Sequence, residues 1–302
     1  MNLHEGLMSA VFERVIAVVP VHNGVQDTLA LLQSIHCSET PDLKIIIVDD
    51  GSTDYSSTRI SQHFHEVTIL KGNGDLWWAG ATNLGIREAL AQGADYVLTM
   101  NNDNIVSKDF LWPLLEKVQK ERRCIVTSKL LSCSESDYVC SFGGVIDWLK
   151  GEIRDRTSRR DLIDFSVSTI AQWVHASSTL YPAELFNKIG LFDANSYPQY
   201  HSDADFSLRA VQSGYTLWVE PRSVVYRKTS QSGGISLLDH GGLWENITSV
   251  RSLFQLKSNY QFYKTHCKIW PFYVFFIIRY VRFCYSWLKR RTISLLRCGR
   301  KA

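Results

Sequence analysis

Four clusters of short polar side chains interrupt otherwise apolar stretches of this chain: "PVHNG" at 20–24, "DDGSTD" at 49–54, "NNDN" at 101–104 and "SDAD" at 202–205. Carboxylates and amides are hard oxygen ligands. They suit a Mg or Mn ion that keeps several waters while bridging one or two carboxylates to phosphates. Asp103 is a lone carboxylate wrapped in the amides of Asn101, Asn102 and Asn104. It is therefore the candidate metal ligand, and the amides beside it suit a ribose.

The clusters need elements to hold them. "RVIAVVPV" (14–21) and "LKIIIVDD" (43–50) are continuous apolar runs, the pattern of strands buried on both faces. "VTIL" (67–70) and "YVLTM" (96–100) are shorter runs of the same kind. Between them, 25–36 carries apolar residues at helical spacing (Val25, Leu29, Leu32, Ile35), "STDYSSTRISQHF" offers Ser52 or Thr53 as a helix cap, and 79–92 reads as a helix. Strand–helix alternation predicts a mostly parallel sheet with helices on both faces. Ligands of such sheets lie at the carboxyl ends of the strands, where three of the polar clusters fall. Further on, 110–121 and 205–213 are expected to be helical, 182–193 a short helix ending at Gly190, and 215–227 mostly extended. Strands are expected at "CIVTSKLL" and "YVCSFGGVID", followed by a mobile charged loop, "KGEIRDRTSRRD".

Several function classes drop out. The turn after the first strand has one glycine, not G-x-G-x-x-G, which argues against a dinucleotide-binding hydride-transfer enzyme, and no P-loop is present. The seven cysteines include no CxxC, and Cys133 and Cys140 have no partner at zinc-finger spacing. The first fifteen residues carry charges where a signal peptide would be apolar, so free thiols in a reducing cytoplasm are expected. Net charge is +3, but from residue 246 onward there are twelve Lys/Arg and no Asp/Glu, which leaves −9 on residues 1–245. A mildly acidic globular part and a basic tail that meets something anionic are the reading.

"VVPVHN", "IIIVDDGSTD", "GDLWWAGATNLGI", "NNDN" and "GLFDANSYPQYHSDADFSLRAVQSGY" resemble, in order and spacing, the family 2 nucleotide-sugar glycosyltransferases with a GT-A fold. Bacterial rhamnosyl- and galactofuranosyltransferase-like members are the nearest in pattern. The resemblance covers roughly residues 14–230 and implies a donor-binding half (14–123) and a catalytic half (124–245) ahead of a helical tail (246–302). It places Asp49 and Asp50 at the nucleotide base, Pro20, His22 and Asn23 beside the nucleotide, and Asn83 along the donor pocket. The D-x-D-like motif falls on Asn101, Asn102 and Asp103, with Asp103 on the metal. Asp203 matches the catalytic base and Asp205 the accompanying acid. Many members carry a metal-ligating His after the extended "VVY" segment, where this chain has Arg227, a cation able to bind the diphosphate directly.

Glycosyl transfer with inversion needs one base on the acceptor hydroxyl and positive charge at the departing diphosphate. It does not need a carboxylate pair about 5 Å apart, as retaining glycosidases do. Asp203, ahead of an expected helix whose N-terminus favours negative charge, is the candidate base. The implied activity moves rhamnose or another hexose from a nucleotide diphosphate to a saccharide or lipid-linked acceptor of a bacterial surface polysaccharide. No nucleic-acid partner is expected. Two rivals stand beside it. A sugar-nucleotide nucleotidyltransferase would carry a glycine-rich basic loop after the first strand, and a catalytically silent relative would tether an assembly complex to membrane.

Taken singly, each motif has a plainer reading. "NNDN" is also an Asx-rich turn, Asp203 and Asp205 are also helix caps, and Trp77 and Trp78 are also core residues. His175 and His201 read as structural histidines, and Arg227 as a surface cation. In the tail, "IWPFYVFFII" (269–278) is about half the roughly 20 residues needed to span a bilayer. Arg279, Arg282, Lys289, Arg290, Arg297 and Lys301 share one sector of a helical wheel, with Phe275, Phe276, Tyr280, Phe283, Trp287 and Leu288 mostly outside it. That pattern predicts a helix in the membrane interface, cations toward anionic headgroups, on the cytoplasmic face. The competing reading is a helix packed on the protein's own core.

Overall fold

Strand β1 (Val15–Val21) shows no polar alternation because both of its faces are covered: all seven residues are buried. In the computed structural model, which describes residues 13–40, 42–228 and 242–298, β1 lies inside a ten-stranded mixed sheet. Beside it run β2 (Lys44–Asp49), β3 (Thr68–Lys71) and β4 (Tyr96–Met100), all parallel. The remaining strands are β5 (Asn104–Val106), β6 (Cys124–Ser132), β7 (Val139–Ser141), β8 (Gly144–Asp147), β9 (Glu152–Asp155), β10 (Thr169–Ile170), β11 (Ser178–Pro182) and β12 (Thr216–Arg227). The sheet order is β10-β12-β6-β11-β4-β1-β2-β3. β11 is antiparallel to both neighbours, and β12 runs parallel to β6. β8 and β9 form a separate hairpin.

Helices α1 (Val25–His36), α2 (Ser56–His63), α3 (Trp77–Ala91), α4 (Leu111–Lys120), α5 (Ala183–Ile189) and α6 (Ser202–Gln212) cover the two faces. The period of two along β1 divides the core. Ile16 and Val18 join Ile46, Val48, α3, α5 and α6 on one side, while Ala17 and Val19 join Ile47, α1 and α4 on the other. Gly85 lets α3 approach: a Cβ there would stand 2.3 Å from Val18 Cγ1.

Four expectations change. The helix after β2 starts at Ser56, with no side-chain cap from Ser52 or Thr53, because those residues turn toward Asn23. The 205–213 helix begins at Ser202, which puts Asp203 in its first turn. "YVCSFGGVID" breaks into two strands at Gly143, whose φ is +68°. The charged segment 150–161 is not a free loop: Glu152–Asp155 is β9, and Arg154 grips Asp161 through two hydrogen bonds of 2.8 and 2.9 Å.

From residue 242 on, α7 (Leu243–Thr248), α8 (Leu256–His266) and α9 (Phe272–Cys298) complete the described chain. The division expected at residue 245 assigns α8 to the tail. Yet Phe262 of α8 lies fully buried in a cluster with Trp173, Tyr197 and Ala204. α9 packs on α8 and on the turn before it: Phe276 meets Tyr263 edge-on at 5.8 Å, Phe283 stacks on Phe254 at 4.2 Å, and the Tyr280 hydroxyl donates to the Phe254 carbonyl. Arg279 is buried, donating to Asn259 Oδ1 (2.8 Å) and to the Gly151 carbonyl (3.1 Å). Arg282 donates to the Lys150 carbonyl and pairs with Glu152. The expected sector of outward cations is thus corrected at Arg279, which is buried, while Arg282 stays exposed; both arginines hold the β8–β9 hairpin. The side chains of Arg290, Arg297 and Lys301 lie outside the described residues.

Candidate active site

The order β4-β1-β2 puts the carboxyl ends of three parallel strands side by side, and the antiparallel β11 begins at the same rim, with Ser178 opposite Met100. β1 lies where the strand order reverses, the crevice in which open α/β sheets bind ligands. The loops after β1 and β2 are sewn together. His22 Nδ1 lies 2.7 Å from the Asp50 carbonyl, Asn23 Oδ1 accepts from the Thr53 amide, and Asp54 accepts from Val25 N–H at the start of α1. Pro20 is buried inside β1, opposite Val48.

Asp49 lies beside a cavity of about 390 Å³ lined also by Ser52, Tyr55, Ser57 and Lys71, within the usual range for a small-molecule site. Its Oδ1 accepts from Ser52 N–H, and its Oδ2 from the Ser57 amide and hydroxyl. Burial pushes its carboxyl up, but these hydrogen bonds outweigh it and hold the group below its usual range. Asp50 has another use. Its oxygens accept from the N–H groups of Gly74, Leu76 and Trp77, fixing the entry to α3 rather than opening onto the cavity.

After β4 the amides are structural links at the rim. Asn101 accepts from the Trp78 indole (3.0 Å), Asn102 donates toward the Gly24 carbonyl, and the buried Asn104 donates to the Ser177 carbonyl. Asp103 differs. Its Oδ1 is buried with no partner, and Arg227 Nε, also unpartnered, stands 3.9 Å from Oδ2. Burial raises the Asp103 carboxyl above its usual range even with Arg227 beside it. Such an orphaned oxygen fits one protein ligand to a divalent cation. Among the described residues no group of three His, Cys, Asp or Glu side chains could hold the ion by itself, so waters and phosphate oxygens would complete its shell.

Asp203 is partly exposed in the first turn of α6. Its Oδ1 accepts from Ala204 N–H (2.8 Å), and its Oδ2 lies 3.1 Å from His175 Nδ1. The other ring nitrogen of His175 faces Asp155, at 3.0 Å. The Trp78 N–H to Gln199 and Ala79 N–H to Pro198 contacts tie this region back to α3 and Asn101. Besides Asp50, two further expected site residues are not brought in. Asp205 is buried between Arg209 and His266, 2.8 Å from each, and anchors α8 on α6. Asn83 is buried with its amide bonded at both ends to the Phe192 backbone. Asp155 was not singled out by sequence, since it sits among seven other charged residues between 150 and 161. Only the β8–β9 pairing brings it to His175.

These features define an α/β protein with acids at one sheet rim. The glycosyl transferase family 2 profile matches residues 16–177, more than half of the chain, and the chain belongs to that family. It is 30% identical over 129 residues to the glycosyltransferase GlyG of Streptococcus pneumoniae serotype 4, covering 41% of this chain and 42% of GlyG. An uncharacterized glycosyltransferase of Rickettsia prowazekii is 24% identical over 206 residues, covering 66% of this chain and 59% of that protein. Among solved structures, GalNAc-T7 with UDP, GalNAc and Mn2+ superposes with a TM-score of 0.58 at 15% identity, over 76% of this chain and 47% of the other. The mannosyltransferase PcManGT of Pyrobaculum calidifontis with GDP-Man and Mn2+ gives 0.53 at 18%, over 74% and 59%. At these identities the structures establish the GT-A-like fold.

Proposed function

We propose that the protein transfers a hexose, with inversion, from a nucleotide diphosphate to a saccharide or lipid-linked acceptor, with Asp203 as the base. The observation that supports this most is the Asp203 carboxylate on the same sheet rim as Asp49 and Asp103, held by His175 and by the first turn of α6. In the reaction, the acceptor O–H proton passes to Asp203 as the oxygen bonds to the anomeric carbon. The carbon–oxygen bond to the diphosphate breaks, and its electron pair leaves with the phosphate. One displacement gives inversion. Arg227 and Asp103 face the leaving diphosphate, Arg227 neutralising charge directly. A divalent cation on Asp103, when bound, supplies further positive charge there. The cavity beside Asp49 takes the base.

Attachment to an anionic membrane surface belongs to the same reading, with its face revised. Trp270, Tyr273, Ile277, Val281 and Tyr285 are exposed, the last four spaced four residues apart on one side of α9, while the tail carries the basic excess. No helix among the described residues is long and apolar enough to cross a membrane.

Thermal-shift screening of UDP-, GDP- and dTDP-sugars with and without Mn, followed by turnover, tests the proposal. A donor at a hundredfold excess over its Kd stabilises by about 2.7 kcal/mol. Asp203→Asn is expected to bind donor and fail to turn it over. Full turnover by that folded variant would remove the base assignment.

A further inference from the structure

The imidazole of His175 lies between two carboxylates supplied by different parts of the chain. Its Nδ1 is 3.1 Å from Asp203 Oδ2 on α6, and its Nε2 is 3.0 Å from Asp155 Oδ2 at the end of β9. Each carboxylate is held from behind, Asp155 by the Ser141 hydroxyl at 2.6 Å and Asp203 by Ala204 N–H. The ring itself is fixed edge-on against Trp173, with centroids 4.8 Å apart. A neutral imidazole has one N–H and would turn a lone pair toward one of the acids, whereas the imidazolium donates to both.

We infer that His175, held by Asp155, is a positioning residue for the transfer: it fixes the Asp203 carboxylate so that a free lone pair meets the acceptor hydroxyl. The inference rests on the reading of Asp203 as the base. His175 keeps both its protons throughout, and the proton from the acceptor stays on Asp203. The charge state agrees with the geometry: burial pushes the imidazole down, but Asp155 and Asp203 outweigh it and carry it up to about 10. The other ionisable groups in the field of this chain are Arg227 from β12, facing Asp155, and Tyr181 from β11 and His201 before α6, facing Asp203.

Four variants of the full chain test it, with nucleoside diphosphate release from the UDP-, GDP- and dTDP-sugar panel as the readout. His175→Ala is expected to lower kcat about 100-fold, the scale for a misplaced catalytic group, with donor KM unchanged. His175→Asn places an amide N–H where Nδ1 stood and should recover most of the loss, as should free imidazole added to His175→Ala. Asp155→Asn should bring the His175 ionisation down from about 10 and into the pH profile. Unaltered kcat in His175→Ala, or a loss that neither Asn nor imidazole recovers, overturns the inference. Asp203→Asn separates the two levels. If it turns over normally, the base reading falls. If it is inactive while His175→Ala is unaltered, only the positioning role falls.

Discussion

Asp103 and Arg227 face each other as a half-buried charge pair with one orphaned atom apiece. Replacing Arg227 with Ala should cut kcat/KM about 100-fold, the order found when one donor to a developing charge is removed, as measured by steady-state donor turnover. Asp103→Asn should abolish any increment that Mn adds to the donor thermal shift. The Asp155–His175 link makes a stability prediction whose sign follows from linkage. The folded imidazole titrates near 10, above its unfolded value. Its stabilisation is therefore complete below about pH 6.5 and fades as pH rises toward 10. The Tm gap between the unaltered chain and His175→Asn should be widest near pH 6 and closed above 10. Asp49 has the opposite sign: its contribution is present above the ordinary aspartate range and disappears as acid titrates the folded carboxyl. At this scale, the positions of Asp49, Asp103 and Asp203 were legible because each lies at or beside the end of an element with a strong local pattern. Asp205 misled because two acids at i and i+2 on a helix point to different sides, one to the rim and one to Arg209 and His266.

Elements were legible where periodicity is local. Helix α1 follows its apolar spacing from first residue to last, and β1 and β2 fall within a residue of the apolar runs that announce them. β9, β10 and β11 were hidden: β9 is charged, β10 spans two residues, and β11 is defined by partners β4 and β6, far away in sequence. The start of α2 was misplaced because a cap needs a particular neighbour, and Ser52 and Thr53 serve the Asn23 loop instead. The α3–β1 contact gives an element-scale prediction. Gly85→Ala pushes a methyl group against Val18 and Val48, and overpacking of this kind costs about 1–3 kcal/mol, measurable as a lower urea midpoint at unchanged slope. Asp54→Ala frees the first N–H of α1 and loses the Ser56 contacts. Loss of such a cap costs roughly 1 kcal/mol.

Across the whole molecule, the tail is two things at once. Its inner side, with Arg279, Tyr280 and Phe283, packs on α8 and the hairpin, while its outer side presents Tyr273, Ile277, Val281 and Tyr285. Aspartate at Tyr273, Ile277 and Val281 together should abolish flotation with anionic liposomes and leave donor hydrolysis intact. Flotation equal to that of the unaltered chain would exclude this face as the anchor. Arg279 reaches the carbonyl of Gly151, four residues before Asp155, and Arg282 reaches Lys150 and Glu152. Cutting the chain before residue 279 to obtain a tractable protein would therefore unbuckle the hairpin from outside. Loss of donor turnover in such a shortened chain would report a lost strap on Asp155.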